Sequence, residues 1–437
     1  MGYIIERGNL NDDYIHIYDV LIFSIIVVFI FFSFYIHIIS FGGFIIGAVY
    51  SLLNNRKKDI CLLMFILPYA EIFNFSMGTT SFFTLLEFIL LFKIFAERKD
   101  IERKYILFIM EFTLYVCFAS IISSHIGFLK LIKLFMSLTI LWDFIDIYEA
   151  KDFRDYVFCY SFGLSIASII GMSKSYIPGF AVLYNDMNSQ WIDGVQINRY
   201  SATFSDPNYY SIAVIVGIGM IITLIANEGI RIWSVIFCVL LIIFGCLTYS
   251  KSFYLILVVL LFAVLLILIQ QKKYIYFVAI VTIISVLFIG GGIFKFPITQ
   301  RIIYRFNTES ESVSDITTGR TDIWSNYFAY IKSNARIFLF GDGIGAKYLY
   351  GAAHNIYVET WYHVGIVGFC SYILTLIGTF SHRKLIRRTV TNYFLVLCVA
   401  IMYAFLCGFT GFEFPFYMIS CWIVLNTTMN PHNIKVY

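Results

Sequence analysis

The sequence predicts an all-α, polytopic membrane protein: one domain over 1–437, folded as a bundle of about fourteen spanning helices. Three observations predict it. First, 60% of the 437 residues are hydrophobic and only 13% are charged. A soluble domain carries about 25% charged residues, so too few polar side chains exist to cover a wet surface, and lipid must be the solvent for most of the outside. Second, apolar runs of about 17 residues or more recur along the chain. Third, the basic residues are asymmetrically placed. The connections at 54–59, 97–104, 148–155, 271–273 and 381–388, and 227–229 with Arg231, hold most of the Lys and Arg, whereas the short turns near 77–78, 124–126 and 409–410 hold none. Basic loops stay cytoplasmic, which puts the N-terminus inside and the two long polar segments outside.

Each element follows from its own run. Tyr14–Leu53 is about two spans long, and Ser40, Gly42 and Gly43 near its middle divide it into two helices. Read as one helix, it moves the N-terminus outside and changes nothing downstream. Spans then follow at 60–76, 79–96, 105–123, 127–147, 156–173, 208–226, 231–248, 253–270, 274–294, 355–379, 390–408 and 411–428, with thirteen or twelve as alternative totals. The outer segments 174–207 and 295–354 are rich in Ser, Asn, Asp, Gly and Thr. In the second, Thr321–Lys332 sets Ile323, Trp324, Tyr327, Phe328 and Ile331 at helical spacing, which predicts a short amphipathic helix on the membrane surface or against the bundle. Its flank Asn307–Thr318 is polar and reads as mobile. The N-terminus has no basic region before a short apolar core, so no cleavable signal is expected. All nine cysteines fall in apolar segments, which argues for small buried hydrophobes and against a disulfide framework or metal site.

Four polar constellations fall on the outer face. In Asn198–Asn208, Ser205 or Asp206 can cap the next span with Pro207 in its first turn, and Arg199 beside that helix start makes an anion site. A plain cap with a solvated arginine explains the same residues equally well. In Thr248–Ser252, Lys251 can pair a phosphate at the membrane edge, or simply snorkel. In Thr318–Trp324, Arg320 precedes a helix start and suits bidentate phosphate contact, or is a loop charge beside Asp322. The last runs from Phe340 to Gly345, through His354, Asn355, Tyr357 and Glu359, to Gly365–Gly368. The glycines there lack the strand context and the Gly-Lys-Ser/Thr ending of a nucleotide loop, which excludes ATP binding by that route. His354 titrates near neutrality and Glu359 follows about one turn further on; a structural interface histidine is the commoner case. Within the spans, Lys130, Lys133, Glu71, Glu87, Glu111 and Asp143 are either functional charges or internal ion pairs.

In order and spacing, Arg199–Asn208, Thr248–Lys251, Gly319–Trp324, Phe340–Gly345, Ala353–Asn355 and Gly365–Gly368 resemble the O-antigen ligase/polymerase superfamily. The family often has Arg where this chain has Lys251, and lysine is a point charge without arginine's planar fork. The resemblance covers about 199–368 and implies a GT-C-like membrane glycosyltransferase of the bacterial inner membrane, with its site facing the periplasm or exterior. The implied donor is a glycan on undecaprenyl pyrophosphate, with a sugar hydroxyl as acceptor. No metal, cofactor or nucleic acid is implied; a chain-length regulator and a flippase are implied partners. His354 would act as base or positioner, with Glu359 the alternative base and Arg199 and Arg320 as catalytic cations. Lys251, Asn208, Asn355 and Tyr357 would join the arginines in binding pyrophosphate or glycan. Within the family the polymerase of O-antigen or capsule repeat units is favoured over the lipid A-core ligase. A lipid-linked glycan flippase is the alternative from another class. One-sided polar clusters and the long outer segment 295–354, which breaks any symmetry between halves, argue against it.

Overall fold

Residues 15–74, 81–97, 103–148, 152–173, 176, 189–192, 195–270, 272, 274–275, 278, 300 and 319–381 are described by a computed structural model. The spans expected at 390–408 and 411–428, all but three residues of 274–294, and the flank Asn307–Thr318 lie outside these residues. The apolar runs form α1 (Ile17–Phe32), α2 (Ile39–Leu53), α3 (Arg56–Ile66), α4 (Phe82–Glu97), α5 (Arg103–Ile122), α6 (Phe128–Ile147), α7 (Phe153–Gly171), α8 (Pro207–Glu228), α9 (Ile232–Cys246) and α10 (Lys251–Gln270). Then come α11 (Arg320–Ser333), α12 (Ala335–Phe340) and α13 (Ile356–Ser381).

Three elements differ from expectation. The first run does divide, but at Ser33–Ile38, and Gly42 and Gly43 lie inside α2. They are small because α1 crosses there: a Cβ on Gly42 would sit 2.6 Å from the Phe29 ring. Small residues that admit a neighbouring helix are a membrane-packing device, not a break. The run 60–76 begins earlier, at Arg56 behind the Asn55 cap, and its α-helix stops at Ile66. Pro68 removes a donor and clashes with the preceding turn, so Leu67–Tyr69 tightens to a 3-10 turn. Finally, the outer segment 174–207 holds an antiparallel hairpin, β1 (Ser189–Ile192) and β2 (Val195–Asn198), with Ile192 opposite Val195. Asp193-Gly194 between them in sequence is a hairpin signal that the all-α expectation overlooked.

The buried core is apolar, and much of the exposed surface is apolar as well. On α1 the exposed stripe is Ile17 (82% exposed), Leu21, Ile25, Val28 and Phe32; Phe41, Ile45, Val49 and Leu52 form the stripe of α2. Exposed apolar residues at helical spacing recur on α5, α9 and α10, while Asp19, Glu87 and Asp143 are buried. Such faces suit lipid contact. One described helix, over Pro207–Ile225, is long and apolar enough to cross a membrane by itself; several others are apolar but shorter.

Polar side chains gather at the two ends of the bundle. At the end where α3 and α7 begin, three consecutive cations reach four different helices. Lys58 pairs with Asp19 of α1 at 3.3 Å, and Lys57 with Asp152 at the start of α7 at 3.1 Å. Arg56 joins Asp143 of α6 and, at 3.0 Å, Glu97 of α4. Asp143 is thus an internal ion pair, one of the two readings open from sequence. Lys93 closes the same end on Asp59 at 2.8 Å. Arg56→Met should cost about 3–5 kcal/mol by leaving a buried carboxylate uncompensated. The double variant with Asp143→Leu should recover much of that, as read by thermal unfolding in detergent.

At the other end α13 is broken. Gly365 has φ +66, outside helical geometry, and interrupts the hydrogen-bond ladder. The carbonyls released are taken up by the loop after α12. Asp342 N–H donates to Tyr362 O at 2.8 Å, Gly343 N–H to His363 O at 3.0 Å, and the Tyr115 hydroxyl to Val364 O at 3.0 Å. The backbones nearly touch: a Cβ on Gly341 would lie 2.4 Å from His363 C and O, and one on Gly365 2.3 Å from Leu339 C and O. Gly351 also has positive φ, +82, but has open space around it. Gly351→Ala should therefore cost only the left-handed backbone penalty, about 1–2 kcal/mol. Gly341→Ala and Gly365→Ala should each cost more than about 3 kcal/mol, measured by thermal unfolding, because backbone must also move.

Candidate functional site

The site grows from the stretch that leads into α8. Tyr200 N–H donates to Leu247 O at 3.0 Å, the Tyr200 hydroxyl reaches Ser168 O, and Thr203 reaches Pro68 O. The Glu71 carboxylate accepts from Ser205 N–H at 2.6 Å. Ala202 takes a positive φ against Gly171, where a Cβ would lie 2.6 Å from Ala202 Cα. These ties bury the stretch between α7, α9 and the 3-10 turn, and they fix where Arg199 and Asn208 point.

Asp206 is the N-cap of α8, with Pro207 in the first turn as the sequence indicated. Its carboxylate accepts from Asn208 N–H at 2.6 Å. The helix start is therefore already served by an acid, and it is a poorer anion site than a helix start with free N–H groups. The positive character comes from side chains. Arg199 is buried; its Nε–H donates to Thr248 O at 3.0 Å and its Nη2 to Asn208 Oδ1 at 2.8 Å. Ser250 Oγ donates to the same Asn208 oxygen at 2.9 Å and meets Ser252 Oγ at 2.7 Å. Asn208 thus joins the start of α8 to the turn between α9 and α10, where Tyr249 has φ +50. Lys251, next to Ser250, is the first residue of α10 and partly exposed at this place.

The second half arrives with α11 and α13. Gly319, at φ +76, turns the chain into α11, so that Arg320 is its first residue. Tyr327 and Ile331 are the buried residues of α11, and Ile323, Trp324 and Phe328 are partly buried against the same cluster, so all five residues anticipated pack. Trp324 Nε1–H donates to Ala353 O at 2.7 Å and the Tyr327 hydroxyl to Gly351 O at 2.8 Å, so the first turns of α11 are fastened to the residues just before His354. The helix packs on the bundle through α13 and α12 rather than standing apart.

His354 precedes α13 in a left-handed conformation, φ +49, with its ring 6.4 Å from that of Tyr209. Burial lowers its pKa, the Arg320 charge lowers it further, and Asp206 opposes them. Arg199, Asn208, Ser250, Asp206, Arg320 and His354 are thus linked across four separate stretches of chain.

The remaining candidates have other surroundings. Asn355 Oδ1 accepts from Tyr357 N–H at 3.0 Å and Val358 N–H at 3.2 Å, so its oxygen caps α13. Tyr357 is half-buried, its ring 6.4 Å from Phe369. Glu359 is buried and accepts from the Tyr348 hydroxyl at 3.4 Å, with the Lys130 ammonium near enough to feel its charge. Ser250, Asp206 and Tyr209 were missed as site residues. Ser250 and Asp206 stood inside the motifs already singled out, but spacing does not reveal that Asn208 receives two donors. Among the described residues no three His, Cys, Asp or Glu side chains form a metal-binding group.

Asn208 supplies the local test. Asn208→Leu leaves Arg199 and Ser250 without their shared acceptor and should cost about 1–3 kcal/mol. Asn208→Asp keeps that acceptor and should cost less; thermal unfolding of the two variants separates them.

A family model described as O-antigen ligase matches residues 236–373, about a third of the chain. The matched stretch holds Ser250, Lys251, Arg320, the 340–345 loop, His354, Glu359 and Gly365, and leaves out Arg199 and Asn208. It supports the O-antigen ligase/polymerase superfamily and an enzymatic, membrane-bound glycosyltransferase role; it does not separate polymerase from ligase. No curated protein matches the chain.

Proposed function

We propose that this protein is a multi-span glycosyltransferase of the bacterial inner membrane that polymerises lipid-linked oligosaccharide repeat units on the periplasmic or outer face. The donor is a glycan on undecaprenyl pyrophosphate, and the acceptor is a sugar hydroxyl of another repeat unit. The observation that carries the reading is the junction of Arg199, Asn208 and Ser250 with Arg320 and His354 at one end of the bundle.

The chemistry follows from charge. The bond from the sugar's anomeric carbon to the pyrophosphate oxygen breaks, and its electron pair stays on the leaving group. Arg320 and Lys251 supply the cations that the developing charge needs in this reading. Arg199 has two donors committed to Thr248 and Asn208, so it holds the α9–α10 turn in place as well as adding charge. The acceptor hydroxyl forms the new bond and gives its proton to the His354 imidazole. A base must be neutral before it acts, and the lowered pKa of His354 keeps it so at pH 7. Neither a nucleotide sugar nor a metal enters this reading; a chain-length regulator and a flippase are its natural partners.

Ligase activity toward lipid A-core is the second reading, favoured by the description of the matching family. The cell's glycan ladder separates them: loss of a polymerase leaves one repeat on the acceptor, loss of a ligase leaves it bare.

Two measurements test the site. His354→Ala and Arg320→Ala should each lower transfer about 10²–10⁴-fold in purified protein supplied with lipid-linked repeats. Unchanged polymer yield and length in both would defeat the proposal. The rate should fall in acid as His354 protonates, with an inflection below its ordinary value near 6.5. Removing the Arg320 charge takes away one cause of the lowering, so the residual activity of Arg320→Gln should show that inflection at higher pH.

A further inference from the structure

A second polar group lies beside the site and is used by none of the steps above. It is built from the first turn of α13, the start of α6 and the loop before His354. Glu359 is 1% exposed, and its Oε2 accepts from the Tyr348 hydroxyl at 3.4 Å. Lys130 Nζ stands 5.9 Å over the centre of the Tyr348 ring and interacts electrostatically with both Glu359 and His363. Tyr348 itself is 39% exposed, and Tyr350 in the same loop is 40% exposed. The ring of Tyr348 also packs on His363 at 5.7 Å, and His363 Nδ1 is 2.9 Å from Gly343 O, so the tyrosine is seated on the glycine loop that clamps the broken helix.

Such a group has the composition of a sugar-binding surface. The Lys130 ammonium offers donors for sugar hydroxyls, the Tyr348 ring offers an apolar face for the C–H side of a pyranose, and the buried Glu359 carboxylate holds the Tyr348 hydroxyl from beneath. It is a poor phosphate site, because a buried carboxylate stands at its centre. A structural ion pair does not call for a partly exposed tyrosine between the two charges. Glu359 lies in the first turn of α13, the helix that begins two residues after His354.

We infer that Glu359, Tyr348 and Lys130 form the subsite that holds the acceptor glycan, orienting its hydroxyl toward His354, while the arginine cluster holds the pyrophosphate donor. This rests on the transferase reading and assigns to its acceptor side residues with no role in leaving-group stabilisation. Glu359 is then a positioning residue and not the alternative base.

The test separates binding from transfer. Repeat units from the organism's lipid-linked pool are freed from their lipid by mild acid, and the freed glycan is titrated onto the full-length protein in nanodiscs. Tyr348→Phe and Lys130→Met, which keep the ring and the aliphatic stem, should each weaken binding about tenfold or more, the loss of one hydrogen bond to a charged partner. Glu359→Gln should do the same while its thermal midpoint stays near that of the parent. Lys332→Ala, an exposed residue in the last turn of α11, should bind the freed glycan normally. Equal binding by the parent and the first three variants, or no binding by the parent, overturns the subsite. A parent that binds the glycan but transfers none overturns the transferase reading and leaves the subsite standing.

Discussion

The broken helix α13 sets the terms for everything near the site. A glycine in left-handed geometry at position 365 frees carbonyls in the middle of an apolar segment, where water cannot satisfy them. The peptide groups of Asp342 and Gly343 and the hydroxyl of Tyr115 do so instead. That obligation holds the 341–345 loop against α13, and the same loop is tied to the end of α5 by Gly345 N–H to His125 O at 2.9 Å and Ile344 N–H to the Ser120 hydroxyl at 3.1 Å. From this clamp the chain passes to Tyr348, then to the turn at Gly351, and then to His354. Backbone satisfaction in a low-dielectric medium thus fixes the path that delivers the histidine.

The arginine side is held by a different device. One amide oxygen, that of Asn208, receives donors from Arg199 and Ser250 and so couples the start of α8 to the α9–α10 turn. Asparagine suits the place because it is neutral. A bare carboxylate there would cancel part of the positive field that the proposed pyrophosphate donor requires, and Asp206 stands nearby. The site therefore sets the buried Arg199 on neutral acceptors, the Asn208 amide and the Thr248 carbonyl, and burial lets that charge act strongly.

Much of this was legible in the chain. Helical spacing located α11, and the positions of Asp206 and Pro207 located the start of α8. Two of the ordered motifs contain Arg199, Asn208 and Ser250, which one amide oxygen joins. What was not legible depended on three-dimensional neighbours. Gly42 and Gly43 read as a break, yet they are a helix crossing, because a glycine's sequence neighbours do not tell whether a second helix lies against it. Glu359 read as a companion of His354 on one helical face. His354 is off the helix, in left-handed geometry, so helical spacing did not apply to that pair. Asn355 read as a ligand, yet its oxygen caps α13. The hairpin had its Asp193-Gly194 signal, which was outweighed by the overall helical character of the chain.

The basic tripeptide Arg56-Lys57-Lys58 carries a last implication. Basic residues at such a position orient a polytopic chain as it enters the bilayer. In the finished fold each is matched to an acid on another helix, and the Lys58 side chain is only 4% exposed. Charges that act as a compass during insertion end as mortar between helices. A tally of basic residues on that side of the membrane thus overstates how strongly the mature protein attracts anionic headgroups, because part of its topogenic signal has been consumed in assembly.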